Sequence, residues 1–337
     1  MKGTGTSGTG RGKPFLEQRL LELLRDTEGR VISGKELGCE LSVSRTAVWK
    51  HVKNLMAQGY LIESVPSRGY RFLAAPDALT TLELTTGLRT KRIGCRVTCV
   101  RETESTNLLA FRLAENAAPE GTVVIAEAQT GGKGRLGRHW ESPPGVNLYC
   151  SVILRPPMSP ARAPQLTFLS AVAVARTIEG TDCLQPKIKW PNDVLVKGMK
   201  VAGLLNEMSA ETDTIHCVVL GIGVNLNMRK EQFPRELRQP ASSLLLESGE
   251  TVNRVDFTRR LFTTLDTLYD EYLGAGFAPI REEWLFRSTV QGRTVRVSFG
   301  NGAMEGVVIG VDNDGALLLD RGSGNPERVL AGDVTIL

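Results

Sequence analysis

The residues most able to do chemistry lie in one stretch, from Glu127 to Trp140, which reads EAQTGGKGRLGRHW. Four glycines alternate here with the cations Lys133, Arg135 and Arg138. Glycine lets a backbone approach a ligand closely, and arginine can bind phosphate through two parallel hydrogen bonds. The stretch therefore predicts a glycine-rich loop that holds the phosphates of a nucleotide.

Two other interpretations of this loop have to be weighed. Residues 132–137 match the dinucleotide pattern G-x-G-x-x-G, but that pattern requires a helix to open at the glycines and an acidic residue about 20 positions later. Here two prolines follow at 143 and 144, and no Asp or Glu lies between Glu141 and Glu179, so a Rossmann fold is disfavoured. A solvated basic loop without a ligand is the other alternative.

Further motifs accompany the loop. They are ESTN at residues 104–107, KWPND at 189–193, KVAG at 200–203 and GIGVN at 221–225. In this order, and together with the loop, they resemble the biotin protein ligase family, from about residue 90 to the end of the chain. The joint pattern is far more specific than any of its parts, and it weakens the alternative of a loop without a ligand.

The resemblance implies a reaction in two steps. The carboxylate of biotin attacks the α-phosphate of ATP, which is expected to bind with Mg²⁺, and biotinyl-5′-AMP and pyrophosphate are formed. A lysine of a biotin carboxyl carrier protein then attacks the mixed anhydride. In the bifunctional members, which are also repressors, biotinyl-5′-AMP is in addition the co-repressor.

The resemblance also implies roles for individual residues. Lys133, Arg135 and Lys200 are expected to neutralise phosphate charge, and Asp193 to receive or orient the acceptor lysine, although a turn aspartate is an equal alternative. Ser105, Thr106 and Gln129 are expected to bind the ureido ring of biotin, although Ser105 is also a good helix cap. Trp140 is expected to pack on adenine, and Asn192 to lie near the nucleotide. The full set of remaining residues predicted to contact a ligand is Asn107, Gly132, Arg138, Trp140, Asn192, Gly203, Gly221 and Asn225. No residue is predicted to bind a metal directly.

Two departures from the family pattern lie near this site. Lys133 stands where many members have arginine, and a lysine keeps the charge but loses the bidentate fork. The chain ends at Leu337, whereas some members continue with an arginine near ATP. We therefore expect ATP or the intermediate to be held less firmly.

The elements before residue 75 predict a winged helix-turn-helix. Helices are expected at 15–25, from the Ser33 capping box to Leu41, and at 45–58, and strands at 60–65 and 69–73. The third helix should enter the DNA major groove, so the predicted DNA contacts are Ser44, Arg45, Thr46, Trp49, Lys50 and Arg68. Residues 1–75 contain 12 Lys and Arg against 7 Asp and Glu, a net charge of +5, whereas the remaining 29 and 30 give −1. This basic excess favours operator DNA over the alternative, a winged helix used only for protein contacts.

The predicted fold class is α+β. The expected domains are a disordered tail (1–14), the winged helix-turn-helix (15–74), a linker (75–90), a mixed α/β catalytic domain like that of the class II synthetases (91–287) and an SH3-like β-barrel (288–337). In the catalytic domain, helices are expected near 105–117, 161–179, 254–273 and 279–286. In the last domain, Asp314-Gly315 predicts a hairpin.

Composition predicts a cytoplasmic protein. The 337 residues carry a net charge of +4, and no apolar run approaches the roughly 18 residues of a membrane span. The N-terminus has no apolar segment typical of a signal peptide. The six cysteines, Cys39, Cys95, Cys99, Cys150, Cys183 and Cys217, form no C-x-x-C pair, so reduced thiols are expected.

The expected partners are the biotin carboxyl carrier protein, operator DNA and a second copy of the chain, with no membrane. Two alternative functions stay open at this point. One is a biotin-sensing repressor without catalysis, although such a sensor would not need the whole set of Lys133, Arg135, Asp193 and Lys200. The other is a lipoate-type ligase, although Ser105 and Gln129 suit a ureido ring better than a dithiolane.

Overall fold

The computed structural model describes residues 12–181, 184–212, 214–237, 239–300, 302–322 and 324–337, with side chains from Leu16 onward. The described residues form two compact units that divide between Leu88 and Arg89. Most of the predicted disordered tail and Cys183 lie outside the described residues. Among the described helices, none has the length and apolar character that crossing a membrane would require.

The first unit has three helices, a two-stranded sheet and a fourth short helix. In chain order these are α1 (Gly12–Arg25), α2 (Gly34–Glu40), α3 (Arg45–Ala57), β1 (Leu61–Val65), β2 (Gly69–Ala74) and α4 (Thr81–Thr85). The predicted order of three helices and a hairpin is confirmed. Helix α1 begins at Gly12, so residues 12–14 of the predicted tail belong to it.

Local capping explains where these helices begin. The Ser33 hydroxyl accepts from the Glu36 amide at 3.1 Å, and the Glu36 carboxylate accepts from the Ser33 amide at 2.9 Å, which is the predicted capping box. The Ser44 hydroxyl caps α3 by accepting from the Ala47 amide at 3.2 Å. The apolar faces of the three helices meet in a core that contains Leu20, Leu24, Leu37, Val48, Val52 and Leu55.

The segment predicted as a linker is largely bound to this unit. The Arg25 guanidinium donates to both oxygens of Glu83 at 2.6 and 2.7 Å, and Glu83 is 2% exposed. The Gln18 amide donates to the Thr85 carbonyl at 2.9 Å. Helix α4 is therefore part of the first compact unit, and only residues after Thr85 are left to connect the units.

The second unit is built on a seven-stranded mixed sheet. Its strands are β3 (Arg96–Thr103), β4 (Thr122–Gln129), β5 (Leu148–Leu154), β6 (Pro186–Lys189), β7 (Asp193–Val196), β8 (Met199–Ala210) and β9 (Ile215–Val224). They lie in the order β3-β4-β5-β9-β8-β7-β6, and only β3 and β4 are parallel. Strand β3 was missed in the sequence, because its buried residues do not alternate cleanly with exposed ones.

Five helices accompany this sheet: α5 (Thr106–Glu115), α6 (Gln165–Glu179), α7 (Leu244–Ser248), α8 (Arg254–Ala275) and α9 (Ala278–Arg287). Helix α5 connects the parallel strands and packs on β4, β5 and β9. Helix α6 is buried along most of its length between the sheet and helices α8 and α9. The prediction that α6 begins at Ala161 was wrong, because Pro160–Arg162 form a separate 3-10 turn and Pro164 precedes the α-helix.

The C-terminal part, which was predicted as an SH3-like β-barrel, is an antiparallel sheet. Its strands are β10 (Thr294–Phe299), β11 (Gly302–Val311), β12 (Leu317–Asp320), β13 (Glu327–Val329) and β14 (Asp333–Ile336). They lie in the order β13-β12-β11-β10-β14, so within the described residues the sheet has two edges and no pairing closes it. The predicted hairpin at Asp314-Gly315 is confirmed and connects β11 to β12.

Candidate functional site

The second unit contains a cleft of about 1010 Å³. Its lining includes residues from the start of α5, from the end of β4 and the loop after it, and from β7, β8, β9 and β14. The predicted ligand residues that line it are Ser105, Thr106, Asn107, Gln129, Lys133, Arg135, Arg138, Trp140, Asn192, Asp193, Lys200, Gly203, Gly221 and Asn225. Gly132 does not line the cleft. Folding thus brings together residues that are more than 100 positions apart.

A hydrogen-bonded network fixes the polar end of the cleft. The Gln129 side-chain oxygen accepts from the Thr106 amide at 2.9 Å and from its hydroxyl at 3.2 Å, and the Gln129 amide donates to Ser142 at 3.0 Å. The hydroxyl oxygens of Ser151 and Thr106 lie 2.8 Å apart. Because both ends of the Gln129 amide are bonded, its orientation is determined by its neighbours.

Ser105 differs from a simple helix cap. It stands at the N-cap position of α5, but its side chain makes no capping hydrogen bond. The residue is 2% exposed and lines the cleft. Its hydroxyl therefore lies at a ligand-sized cavity without serving the helix.

The glycine-rich loop folds back on itself as a small hairpin. The Trp140 amide donates to the Gly132 carbonyl at 2.9 Å, and the Gly134 amide donates to the Arg138 carbonyl at 2.7 Å. A β-carbon on Gly132 would lie 2.4 Å from the Trp140 carbonyl oxygen, so a glycine is needed there. The turn of this hairpin places Leu136 at φ 58°, and its side chain is 71% exposed.

The three loop cations have different surroundings. Lys133 is exposed. Arg135 is half-buried, which lowers its guanidinium pKa, and it donates to the Gly332 carbonyl at 3.3 Å. Arg138 binds the carboxylate of Asp333 with both terminal nitrogens, and this hydrogen bond raises the Arg138 pKa. Both arginines remain cationic, because arginine keeps its proton in proteins.

Trp140 lies on two glycines of neighbouring strands. Gly203 of β8 pairs with Gly223 of β9, and β-carbons there would lie 2.9 Å and 2.7 Å from atoms of the indole ring. The Lys200 ammonium is 5.4 Å from the ring centroid, a distance typical of a cation–π contact. The indole thus packs closely against both glycines, beside the lysine.

Asp193 and Lys200 form an ion pair across β7 and β8. The Lys200 Nζ lies 2.6 Å from Asp193 Oδ1, and their side chains are 22% and 11% exposed. The pairing of β7 with β8 shifts register between Val194 and Leu195, which brings the start of β7 close to Lys200. Asp193 is therefore more than a turn residue.

Several residues that were predicted to contact a ligand are instead in contact with other parts of the protein. The Asn107 amide donates to Glu207 at 2.7 Å and accepts from Ser151 at 2.6 Å. The Asn225 amide donates to the Ser242 carbonyl at 3.1 Å, and that of Asn192 donates to the Leu204 carbonyl at 2.6 Å. A β-carbon on Gly221 would lie 2.4 Å from the Asn107 side-chain oxygen. These contacts shape the walls, and direct binding of a ligand by these four residues stays a prediction.

Some residues of the site were missed in the sequence. Gly223 is the second glycine of the GIGVN motif, and its spacing of two from Gly221 on a strand could have revealed it. Asp333 and Ser142 have no local signal. Neither has Arg254, which is 1% exposed and donates to Glu127 at 2.7 Å beneath the loop.

The predicted DNA contacts in the first unit are all exposed. Arg45, Thr46, Trp49 and Lys50 project from α3, Ser44 caps that helix, and Arg68 lies in the turn between β1 and β2. The Lys53 ammonium lies 4.4 Å from the centroid of the Trp49 ring. The structure thus presents a cationic and aromatic helix face with a cationic hairpin turn.

Known protein families match segments of both units. Residues 17–71 match the model of an HTH domain, 97–225 that of the biotin/lipoate A/B protein ligase family, and 291–337 that of the biotin protein ligase C-terminal domain. The chain is 38% identical over 321 residues to the bifunctional ligase/repressor BirA of Bacillus spizizenii, covering 95% of this chain and 98% of that one. It is 31% identical to BirA of Escherichia coli, covering 90% and 92%.

A solved structure shares the fold of most of the chain. The biotin protein ligase from Aquifex aeolicus, solved in complex with biotin and ATP, aligns with a TM-score of 0.62 at 26% identity. The alignment covers 72% of this chain and 99% of that one. With a relative at 38% identity along nearly its whole length, the chain belongs to the biotin protein ligase family, among its bifunctional ligase/repressor members.

Proposed function

We propose that the protein attaches biotin to a lysine of a biotin carboxyl carrier protein, using ATP, and that it represses transcription when biotin is sufficient. The proposed ligase activity rests on one observation. The loop cations, the Asp193–Lys200 ion pair and the Thr106–Gln129 network all line the same cleft. A phosphate cradle, an acid–base pair and a polar pocket are what such a ligation requires.

The first step joins two anions. A carboxylate oxygen of biotin forms a bond to the α-phosphorus of ATP, the bond to the β-phosphate oxygen breaks, and pyrophosphate leaves. Negative charge gathers at the phosphates, so fixed cations stabilise the transition state. Lys133, Arg135 and Lys200 supply them, and Arg138 is a fourth cation beside them.

Biotin occupies the polar end of the cleft. Its neutral ureido ring needs a few exact hydrogen-bond partners, and its tail needs apolar walls. Ser105 has a hydroxyl that no helix cap uses, and Thr106 and Gln129 are already oriented by their network. Trp140, lying on Gly203 and Gly223, offers its ring to the adenine base.

The second step transfers the acyl group. The acceptor lysine has an ordinary pKa near 10.4, so it must lose a proton before its nitrogen attacks the carbonyl carbon of biotinyl-5′-AMP and AMP leaves. Asp193 is the carboxylate within the cleft that accepts this proton or orients the amine. Its ion pair with Lys200 keeps this carboxylate beside one of the cations proposed to bind phosphate.

Mg²⁺ would enter with the nucleotide. The described residues include no group of three or more His, Cys, Asp or Glu side chains arranged to hold a metal ion. Magnesium fits this arrangement because it is commonly held by substrate phosphates and water with one or two carboxylates. When bound, the ion neutralises phosphate charge, which adds to what the loop cations do.

The first unit would read operator DNA. Exposed Arg45, Thr46, Trp49 and Lys50 on α3, with Arg68 in the hairpin turn, match a recognition helix and a wing. One such unit covers a half-site, so specific binding needs a homodimer. In the second unit, β8 pairs with β7 up to Gly203, and Leu204 is bonded to Asn192, but no described strand pairs with the residues of β8 beyond Leu204 on this side, so that edge could pair with another strand. Biotinyl-5′-AMP is the proposed co-repressor.

One experiment tests the enzymatic proposal directly. The protein is incubated with ATP, labelled pyrophosphate and either biotin or lipoic acid, and exchange of label into ATP is measured. Biotin-dependent exchange is expected, with little from lipoic acid. Exchange with lipoic acid alone would favour the lipoate-type ligase, and binding of biotin without exchange would favour a sensor that lacks catalysis.

The five described cysteines Cys39, Cys95, Cys99, Cys150 and Cys217 are free thiols, in keeping with a cytoplasmic site of action.

A further inference from the structure

Two arginines of the glycine-rich loop are bound by one turn of the C-terminal sheet. Arg138 Nη1 donates to Asp333 Oδ1 at 3.0 Å, and Arg138 Nη2 donates to Asp333 Oδ2. Arg135 donates to the carbonyl of the preceding residue, Gly332, at 3.3 Å. The loop that is proposed to hold phosphate is thus already held by an anionic turn.

The carboxylate of Asp333 occupies the face of Arg138 that a phosphate would use. A guanidinium binds carboxylate and phosphate with the same pair of parallel hydrogen bonds. While Asp333 is bound in this way, both terminal nitrogens of Arg138 are engaged. The side chains of Arg138 and Asp333 are 39% and 26% exposed, so the pair is open to exchange with a ligand rather than locked in a core.

We propose that Asp333 is an affinity-setting residue for the nucleotide, because it holds Arg138 until a phosphate chain displaces it. The inference rests on the proposed phosphate-binding role of the loop and assigns a competitor to it. With the cleft empty, Asp333 and Gly332 keep the loop hairpin in place. With a di- or triphosphate bound, the Arg138 guanidinium turns from the carboxylate to a phosphate oxygen.

The expected size of this competition follows from the kind of pair. When a ligand needs a side chain that is bonded elsewhere for part of the time, its apparent association constant is reduced. The constant is multiplied by the fraction of molecules in which that side chain is free. Partly exposed ion pairs have modest strength, which corresponds to about a two- to fivefold change in an equilibrium constant. Removing the competing charge should therefore tighten phosphate binding, whereas removing a merely structural contact would loosen it.

The test measures binding of inorganic pyrophosphate to the full-length protein by calorimetry, without biotin. Asp333→Asn removes the charge and keeps the shape. We expect it to bind pyrophosphate about two- to fivefold more tightly than wild type. Glu305→Gln is the matched control, since Glu305 pairs with Arg296 at 2.6 Å in the same sheet and does not line the cleft. It should leave the affinity unchanged.

A second background separates competition from a general change in charge. Arg138→Gln should weaken pyrophosphate binding, and adding Asp333→Asn to it should bring no gain. Equal or weaker binding by Asp333→Asn, an equal gain with Glu305→Gln, or a gain that persists without Arg138 would each overturn the inference. If thermal melting shows that Asp333→Asn does not fold, Asp333→Ser serves in its place with the same expectations. A wild-type protein that binds no pyrophosphate would contradict the proposed function as well.

Discussion

The ammonium of Lys200 lies 2.6 Å from a carboxylate oxygen of Asp193, across neighbouring strands and largely shielded from solvent. An ion pair of this kind has two possible roles, since it can hold strands together or serve the reaction. The two roles predict different results when one partner is removed and then the other.

Lys200→Ala is expected to lower biotin-dependent ATP–pyrophosphate exchange at least tenfold. A charge-assisted hydrogen bond contributes about 1.5–3 kcal/mol, and about 1.4 kcal/mol corresponds to a factor of ten. The same variant should lose stability in denaturant, because Asp193 keeps its charge without Lys200. Adding Asp193→Asn should restore stability but not exchange. Recovery of both in the double variant would assign the pair to structure alone. Lys197→Ala, in the same hairpin and 66% exposed, is the control that should change neither.

Arg135→Gly is expected to release biotinyl-5′-AMP before transfer. We expect the half-buried guanidinium, which is bonded to Gly332, to hold the loop over the site, where the loop would exclude water and retain the intermediate. Bulk albumin added to the reaction should then become biotinylated, without any carrier protein, faster than with wild type. Leu136→Gly is a useful comparison, because it changes an exposed neighbour that already has a positive φ. If both variants label albumin equally, the rigidity of the loop rather than the arginine retains the intermediate.

Much of this architecture could be predicted from local sequence, for physical reasons. The Ser33 box, the order of helices and hairpin in the first unit and the Asp314-Gly315 turn follow from neighbouring residues, and the structure confirms them. The pair Arg138–Asp333 joins residues 195 positions apart, and Arg254–Glu127 joins residues 127 apart, so no local pattern announces either. The open C-terminal sheet was also beyond reach, because alternating short strands predict pairing but not whether the edges meet.

Gly223→Ala is expected to displace Trp140. The new β-carbon would lie 2.7 Å from the indole, and overpacking of this kind costs about 1–3 kcal/mol. Affinity for ATP should fall at least about fivefold, and near-ultraviolet circular dichroism should report a changed tryptophan environment. Gly274→Ala is the matched control, since nothing lies within 4 Å of its added carbon and it sits in α8. That change should stabilise the protein by about 0.5–1 kcal/mol. Unchanged ATP affinity in Gly223→Ala would separate Trp140 from nucleotide binding.

Binding of the ligand and binding of DNA are expected to be coupled through the dimer. If biotinyl-5′-AMP strengthens dimerisation, dimerisation must strengthen binding of biotinyl-5′-AMP by the same factor, because the coupling free energy acts in both directions. Sedimentation with a non-hydrolysable analogue should therefore show a tighter dimer than sedimentation without it.

On operator DNA, Lys50→Ala should weaken binding while leaving that dimer constant unchanged. Loss of one phosphate contact lowers the slope of log affinity against log salt by about 0.9. Loss of a base contact instead costs about 1–3 kcal/mol and relaxes sequence preference, so the salt series shows which contact Lys50 makes. Arg19→Ala, an exposed cation on α1 that pairs with Glu22, controls for net charge. Equal dimer constants with and without the analogue would refute the coupling, even though the Lys50 result could still stand. If the coupling holds, adding unmodified carrier protein to the wild-type complex should release the operator. The reason is that transfer of biotin to the carrier consumes the ligand that strengthens the dimer.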